Sequence, residues 1–198
     1  GADYESILIV QNSHAAYYPG AAPLVLKLLF SMDGKRLFGA QIVGTDGVDK
    51  RIDVLAAAIR LGAGVSDLTK LELAYAPPYS SAKDPVNMAG YVAENLLTGK
   101  VAFSSWDALD KRDGAVVLDV RETMERQAFE LPDSVHIPLG QLRERIGELD
   151  PARRYIILCA VGVRAYNASR ILSAHGFKNV LVYPGGTHFY RSTHFPLF

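Results

Sequence analysis

Cys159 is the single cysteine of the chain. The segment around it, Leu158-Cys159-Ala160-Val161-Gly162-Val163-Arg164-Ala165, has residue types and spacing from which chemistry could be built. An apolar run ends at Cys159 and a helical pattern starts at Gly162, so a loop of small residues joins a strand to a helix. Such a loop can curl with several backbone N–H groups pointing inward, and the positive end of the helix lies behind it. Both features stabilise an anion, and the thiolate is the nucleophilic form of a thiol. A persulfide anion would be held by the same donors, with no separate general base. From residue type alone a buried structural thiol is the commoner outcome, because free cysteine is among the most buried residues. The context favours chemistry. Leu118-Asp119-Val120-Arg121-Glu122 ends an earlier apolar run, and Tyr183-Pro184-Gly185-Gly186 ends a later one. In a parallel sheet the C-terminal strand ends share one edge, where ligands bind.

The elements that must position these residues follow from apolar periodicity. Ala115 to Val120, Tyr155 to Cys159 and Asn179 to Tyr183 are continuous apolar runs, read as buried strands. Helical patterns lie between them, at Leu139 to Leu149 and Gly162 to His175, and Ser105 is placed to cap a helix through Leu109. Strands alternating with helices predict an α/β unit with a parallel sheet. The N-terminal half reads differently. Ser6 to Val10, Leu24 to Phe30 and Leu37 to Val43 are strands, the last two joined by a turn at Met32-Asp33-Gly34-Lys35. A helix opens at Gly47, with Val48, Ile52, Leu55, Ala56 and Ile59 as its apolar stripe and Gly62 and Gly64 at its end. Ser66 and Asp67 cap a short turn, Leu71 to Ala74 reads as a short strand, and Val86 to Leu97 as a second helix. This half is expected to be α+β with a small antiparallel sheet. The boundary is placed near Lys100 to Ser104, giving domains over 1–102 and 103–198.

Composition bounds the rest. Hydrophobic residues make up 49% of the 198, enough for a core. Lysine plus arginine equals aspartate plus glutamate at 21 each, and both halves are near balance, so a nucleic-acid partner is disfavoured. One cysteine cannot form an internal disulfide, which suits a cytoplasmic setting. No apolar run approaches the ~20 residues needed to cross a bilayer, so no membrane partner is expected. The histidines His14, His136, His175, His188 and His194 are scattered, and none has metal-ligand spacing. His188 follows the YPGG turn, from which it could approach the Cys159 loop, but is read as a surface or packing residue, and Arg143-Glu144-Arg145 as a solvated helix face. No Gly-x-Ser-x-Gly elbow supports a serine hydrolase.

The succession Leu118 to Glu122 (LDVRE), Val135 to Leu139 (VHIPL), the Cys159 to Arg164 loop (CAVGVR) and Tyr183 to Gly186 (YPGG) resembles the motifs of a rhodanese-like sulfurtransferase domain over about Phe103 to Arg191. The resemblance implies that Cys159 carries a persulfide. The backbone of Ala160, Val161, Gly162 and Val163 would cradle the substrate, Arg164 would close the loop, and Arg121 would border the pocket. Asp119 and Glu122 occupy positions that brace the site in this family. One motif departs: Phe129-Glu130-Leu131-Pro132-Asp133-Ser134 stands where the family commonly has Gly-His-Ile-x-Gly-Ala. Four residues separate Cys159 from Arg164, whereas the related dual-specificity phosphatases have five, so the spacing favours sulfur over phosphate. The apolar side chains of the loop disfavour thiosulfate and favour a polysulfide or small persulfide as donor.

The N-terminal half also carries a resemblance. His14-Ala15-Ala16-Tyr17-Tyr18-Pro19-Gly20, Gly47 to Leu55 and Ala74 to Asn87 are similar to the dimerisation domain of flavin-dependent pyridine nucleotide-disulfide reductases, in the coenzyme A-disulfide and polysulfide reductase branch. It implies a homodimer through residues 1–102, with Tyr17 and Tyr75 reaching a partner's active site. Their phenols could hydrogen-bond a sulfur intermediate; the blander reading is that both are interface anchors. No Gly-x-Gly-x-x-Gly follows a strand, so no cofactor is expected on these residues alone. FAD, NAD(P)H and coenzyme A are implied for a longer protein, of which this chain, opening on Gly1-Ala2-Asp3, reads as the C-terminal piece. The rival reading is a binding module that keeps the fold and only dimerises or docks.

Overall fold

The computed structural model describes residues 3–195. The chain divides into two compact units, Gly1–Gly99 and Lys100–Phe198.

In the first unit, β1 (Tyr4–Asn12), β2 (Pro23–Ser31) and β3 (Leu37–Gly44) form an antiparallel sheet in the order β1-β2-β3. Its register runs from Tyr4 opposite Ser31 to Asn12 opposite Pro23. Leu24, Leu26, Leu28 and Phe30 alternate along the central strand, and all four are fully buried. One face of the sheet is therefore the core face. Against the sheet pack α1 (Val48–Arg60), on β3, and α3 (Pro85–Leu97), on β1, while α2 (Val65–Lys70) packs on α3. Asp84 caps α3 by accepting from the Val86 N–H, and Pro85 occupies the first turn, where a missing N–H costs nothing.

The first unit has the expected architecture with local corrections. Leu71 to Ala74 forms no strand. The buried Asn87 amide instead donates to the Leu68 and Leu71 carbonyls, and this side chain takes the place of a ladder partner. In α1 only Leu55 of the predicted stripe is fully buried and Ala56 is exposed; the other buried residue of the helix is Arg51. The cap of α2 is Asp67 reaching back to the Gly64 N–H, with Ser66 already inside the helix.

The second unit is α/β. Its sheet is parallel, in the order β5-β4-β6-β7, from β4 (Val116–Asp119), β5 (Val135–His136), β6 (Tyr155–Leu158) and β7 (Val180–Val182). All of β6 and most of β4 are buried, as continuous apolar strands in a covered sheet must be. The helices are α4 (Ala108–Lys111), α5 (Thr123–Ala128), α6 (Val163–Ala174) and α7 (Gly186–His194). The predicted helix over Leu139 to Leu149 is replaced by two single 3-10 turns, Leu139–Gln141 and Ile146–Glu148. Gly140 and Gly147 interrupt that stretch, and glycine loses more backbone entropy in a helix than any other residue. α4 starts at Ala108 behind Asp107, later than Ser105 suggested.

Candidate functional site

Within the second unit β4 and β6 lie side by side and parallel, with Asp119 opposite Leu158. Asp119 and Cys159 are thus delivered to the same sheet edge. Cys159 is a free thiol, 1% exposed. The Gly162 N–H donates to its Sγ at 3.1 Å. Gly162 has φ 111° and directly precedes α6, so the donor sits where the helix presents its positive end. That φ is readily open only to glycine.

The loop is held from behind by α7. The Thr187 N–H donates to the Cys159 carbonyl at 2.8 Å, and the His188 N–H to the Ala160 carbonyl at 3.0 Å. Both loop carbonyls are tied to the first turn of α7, which satisfies two helix N–H groups and fixes the orientation of both peptides. Gly186 permits this approach: a Cβ there would lie 2.4 Å from the Cys159 carbonyl oxygen, and its φ is 61°. The YPGG turn is therefore a wall of the cysteine loop. Val161 and Val163 point apolar side chains outward and are exposed.

Neither arginine assigned to the site is without a carboxylate. Arg164 forms a two-pronged pair with Glu125, at 2.5 and 2.6 Å, which joins α6 to α5. The Arg164 hydrogen bonds hold the Glu125 carboxyl below the usual glutamate range, against the opposing effect of burial. The Glu125 carboxylate also accepts from the Glu122 N–H at 3.0 Å and caps α5. Arg121, almost fully buried, pairs with the fully buried Asp119 at 2.6 Å and donates to the carbonyls of Phe129 at 2.7 Å and Glu125 at 3.3 Å. Nε and both Nη atoms are engaged within the scaffold. Asp119 likewise binds Arg121 through side chain and backbone N–H, so both function as braces for the β4 edge. His136 Nε2 lies 2.8 Å from the Arg121 carbonyl. Burial lowers the pKa of His188, with a further contribution from Arg191.

Tyr17 and Tyr75 form a second group, in the first unit. Their hydroxyls are 3.0 Å apart, and the side chains are 75% and 50% exposed. The hydrogen bond to Tyr75 raises the pKa of Tyr17. Arg51, 1% exposed, positions both segments. It donates to the carbonyls of Ser13 at 2.5 Å and Gly47 at 2.9 Å and pairs with Asp84 at 3.0 Å. Asp84 accepts in addition from the Ser80 hydroxyl at 2.6 Å, and the Ala15 N–H donates to the Ser80 carbonyl at 3.1 Å. The loop carrying Tyr17 and the segment carrying Tyr75 are thereby joined to one buried ion pair. Burial pushes the Asp84 carboxyl up, but the bonds from Ser80, Val86 and Arg51 outweigh it and leave it below the usual aspartate range.

Sequence reasoning did not single out Glu125 or Arg51. Glu125 stands three residues after Glu122, which is capping-box spacing, and that was its available signal. Arg51 lay inside a quoted motif without marking itself as buried.

Comparison with known proteins decides what these units are. The rhodanese-like domain model matches residues 105–192, and the pyridine nucleotide-disulphide oxidoreductase dimerisation domain model matches residues 2–85. The chain is a dimerisation domain of that class followed by a rhodanese-like domain. Reduced Bacillus anthracis CoADR-RHD is similar over 96% of this chain, with 45% identity and a TM-score of 0.90. An NAD-dependent persulfide reductase from A. fulgidus is similar over the same share, with 40% identity and a TM-score of 0.89. The coenzyme A disulfide reductase of Staphylococcus epidermidis is 50% identical over 92 residues, 46% of this chain. The chain spans 34% of each of these two solved relatives and 21% of the curated one.

Among the described residues no strand-to-helix turn has the Gly-x-Gly-x-x-Gly spacing of a dinucleotide site. Gly62-Ala63-Gly64 follows a helix rather than a strand, and the strand–loop–helix at Cys159 offers a single glycine, Gly162, in its turn. Among the described residues no cluster of three or more His, Cys, Asp or Glu could hold a metal ion. No described helix is long and apolar enough to cross a membrane.

Proposed function

We propose that the rhodanese-like domain carries sulfane sulfur as a Cys159 persulfide, and that the chain serves as the dimerising and sulfur-transfer part of a cytoplasmic coenzyme A-disulfide or persulfide reductase. The observation that carries this reading is the free, buried Cys159 whose sulfur receives the Gly162 N–H at the start of α6. That donor and the helix end favour the thiolate before sulfur is added, and the positive helix end also favours the persulfide anion afterwards. The Cys159 thiolate attacks the outer sulfur of a persulfide or polysulfide. A sulfur–sulfur bond to Cys159 forms, the donor's own bond breaks, and the donor leaves as a thiol or shortened polysulfide. A nucleophilic acceptor then takes the outer sulfur and returns the thiolate. The α7 anchors on the Cys159 and Ala160 carbonyls keep the cradle in place through both halves of the cycle.

Residues 1–102 form the homodimer contact in this reading. Tyr17 and Tyr75 act as a hydrogen-bonded phenol pair toward a sulfur intermediate. Tyr17 is a neutral donor at neutral pH as tyrosines ordinarily are, and its hydrogen bond to Tyr75 moves its pKa further upward. FAD, NAD(P)H and coenzyme A would be bound by segments outside this chain.

The test is cyanide-dependent thiocyanate formation from a persulfide donor. Cys159→Ser is expected to abolish it and to leave the sedimentation behaviour unchanged. Activity surviving that change would exclude Cys159 as the carrier and favour the docking module.

A further inference from the structure

The pairing of Arg164 has a consequence for donor choice. A rhodanese-type loop that accepts a dianion needs cationic help, because the departing group keeps two negative charges beside the new persulfide. Here the Arg164 guanidinium is bound through both Nη atoms by Glu125, and Arg121 is bound by Asp119. What remains at the sulfur is the Gly162 N–H and the end of α6, in a loop whose Val161 and Val163 side chains are apolar and exposed.

Resting on the Cys159 carrier reading, we infer that Glu125 is a specificity-determining residue: by neutralising Arg164 it sets the site for an uncharged or singly charged thiol persulfide and against dianionic thiosulfate. With a persulfide R–S–SH, the Cys159 thiolate bonds to the outer sulfur and the inner S–S bond breaks. The R–S group leaves with the bonding pair and takes the proton, giving R–SH and the Cys159 persulfide anion. With thiosulfate the same attack breaks the S–S bond and releases sulfite, which keeps the pair and two charges. Only the second route builds extra charge beside Arg164, so only it is penalised when Glu125 cancels that cation.

The rates of persulfide formation on Cys159 from a small thiol persulfide and from thiosulfate, followed by mass spectrometry, test this in the full chain. Glu125→Gln keeps the side-chain shape and a residue able to cap α5 at the same position while removing the charge. It is expected to raise the thiosulfate-to-persulfide rate ratio about tenfold, the scale of one uncancelled charge near a partly exposed site. A ratio unchanged within about twofold, on the same scale, overturns the inference. Should the variant fail to fold, the unmodified chain supplies a second reading. Its thiosulfate rate is expected not to fall as ionic strength rises, because no net cation attracts the donor; a steep fall overturns the inference. No persulfide on Cys159 from either donor overturns the carrier reading and this inference with it. Persulfide formed at an unchanged ratio overturns this inference alone.

Discussion

Two glycines at the cysteine loop have different jobs, and substitution separates them. Gly162 has φ 111°, but a Cβ there meets nothing within 4 Å. Gly162→Ala therefore introduces backbone strain of about 1–3 kcal/mol without a clash. It should move the N–H off Sγ and lower persulfide formation more than it lowers the melting temperature. At Gly186 a Cβ lies 2.4 Å from the Cys159 carbonyl and 2.5 Å from the Ala160 carbonyl. Gly186→Ala should impair both stability and transfer, because relieving the clash displaces the loop backbone itself. Calorimetry paired with donor-to-cysteine transfer rates distinguishes the two patterns; equal effects would contradict the assigned roles. That Cys159 and Arg164 share one strand-to-helix connection was readable in advance, because they lie close together in sequence. The partner Glu125 was not, because it lies 39 residues from Arg164 and the contact exists only once α5 and α6 are packed.

At the scale of elements, the strands and long helices were legible wherever apolar periodicity ran uninterrupted. The apolar run Leu24 to Phe30 was read as a strand, and the structure shows Leu24, Leu26, Leu28 and Phe30 as its buried face. Periodicity failed where glycine punctuated the pattern, as in the two 3-10 turns beside Gly140 and Gly147, and where a side chain replaced a strand partner, as Asn87 does for Leu71. It also could not show that Arg51 is internal, since a helical arginine ordinarily faces water. The buried Arg51–Asp84 pair joins β1's following loop, the start of α1 and the start of α3. Arg51→Met is expected to destabilise the first unit by about 3–5 kcal/mol, because it leaves Asp84 buried without its cation. Urea unfolding should report the loss, and a change below about 1 kcal/mol, the scale of an exposed pair, would show that the ion pair is dispensable.

For the whole molecule, two of the groups that shape the pH dependence are buried or half-buried, one in each unit. His188 has a lowered pKa in the fold because burial disfavours its charged form. Its unfolded form takes up a proton more readily, so its contribution is present above the unfolded value near 6.5 and is lost as pH falls below it. The folded pKa of Asp84 is also depressed, so its contribution is present at neutral pH and is lost below its usual value of 3.8. On acidification His188 should therefore remove stability from the rhodanese-like unit first, opposed by the exposed His194, whose pKa is raised, and the carboxylates Asp84 and Glu125 should remove it later, one in each unit. Chemical denaturation across pH of a His188→Gln variant beside the parent checks the His188 contribution, and a variant that changes in stability between pH 7 and 5 just as the parent does would contradict it. The two-unit organisation itself was legible from the change of pattern near residue 100, where antiparallel hairpin signals give way to strands alternating with helices.

The most direct test of the central claim is mass spectrometry of the Cys159 peptide after brief exposure of the folded, reduced chain to a polysulfide. The account predicts the gain of one sulfur atom on Cys159, removable by cyanide with release of thiocyanate. An unmodified Cys159 in folded protein with a reduced thiol would contradict it and leave the rhodanese-like domain as a docking module.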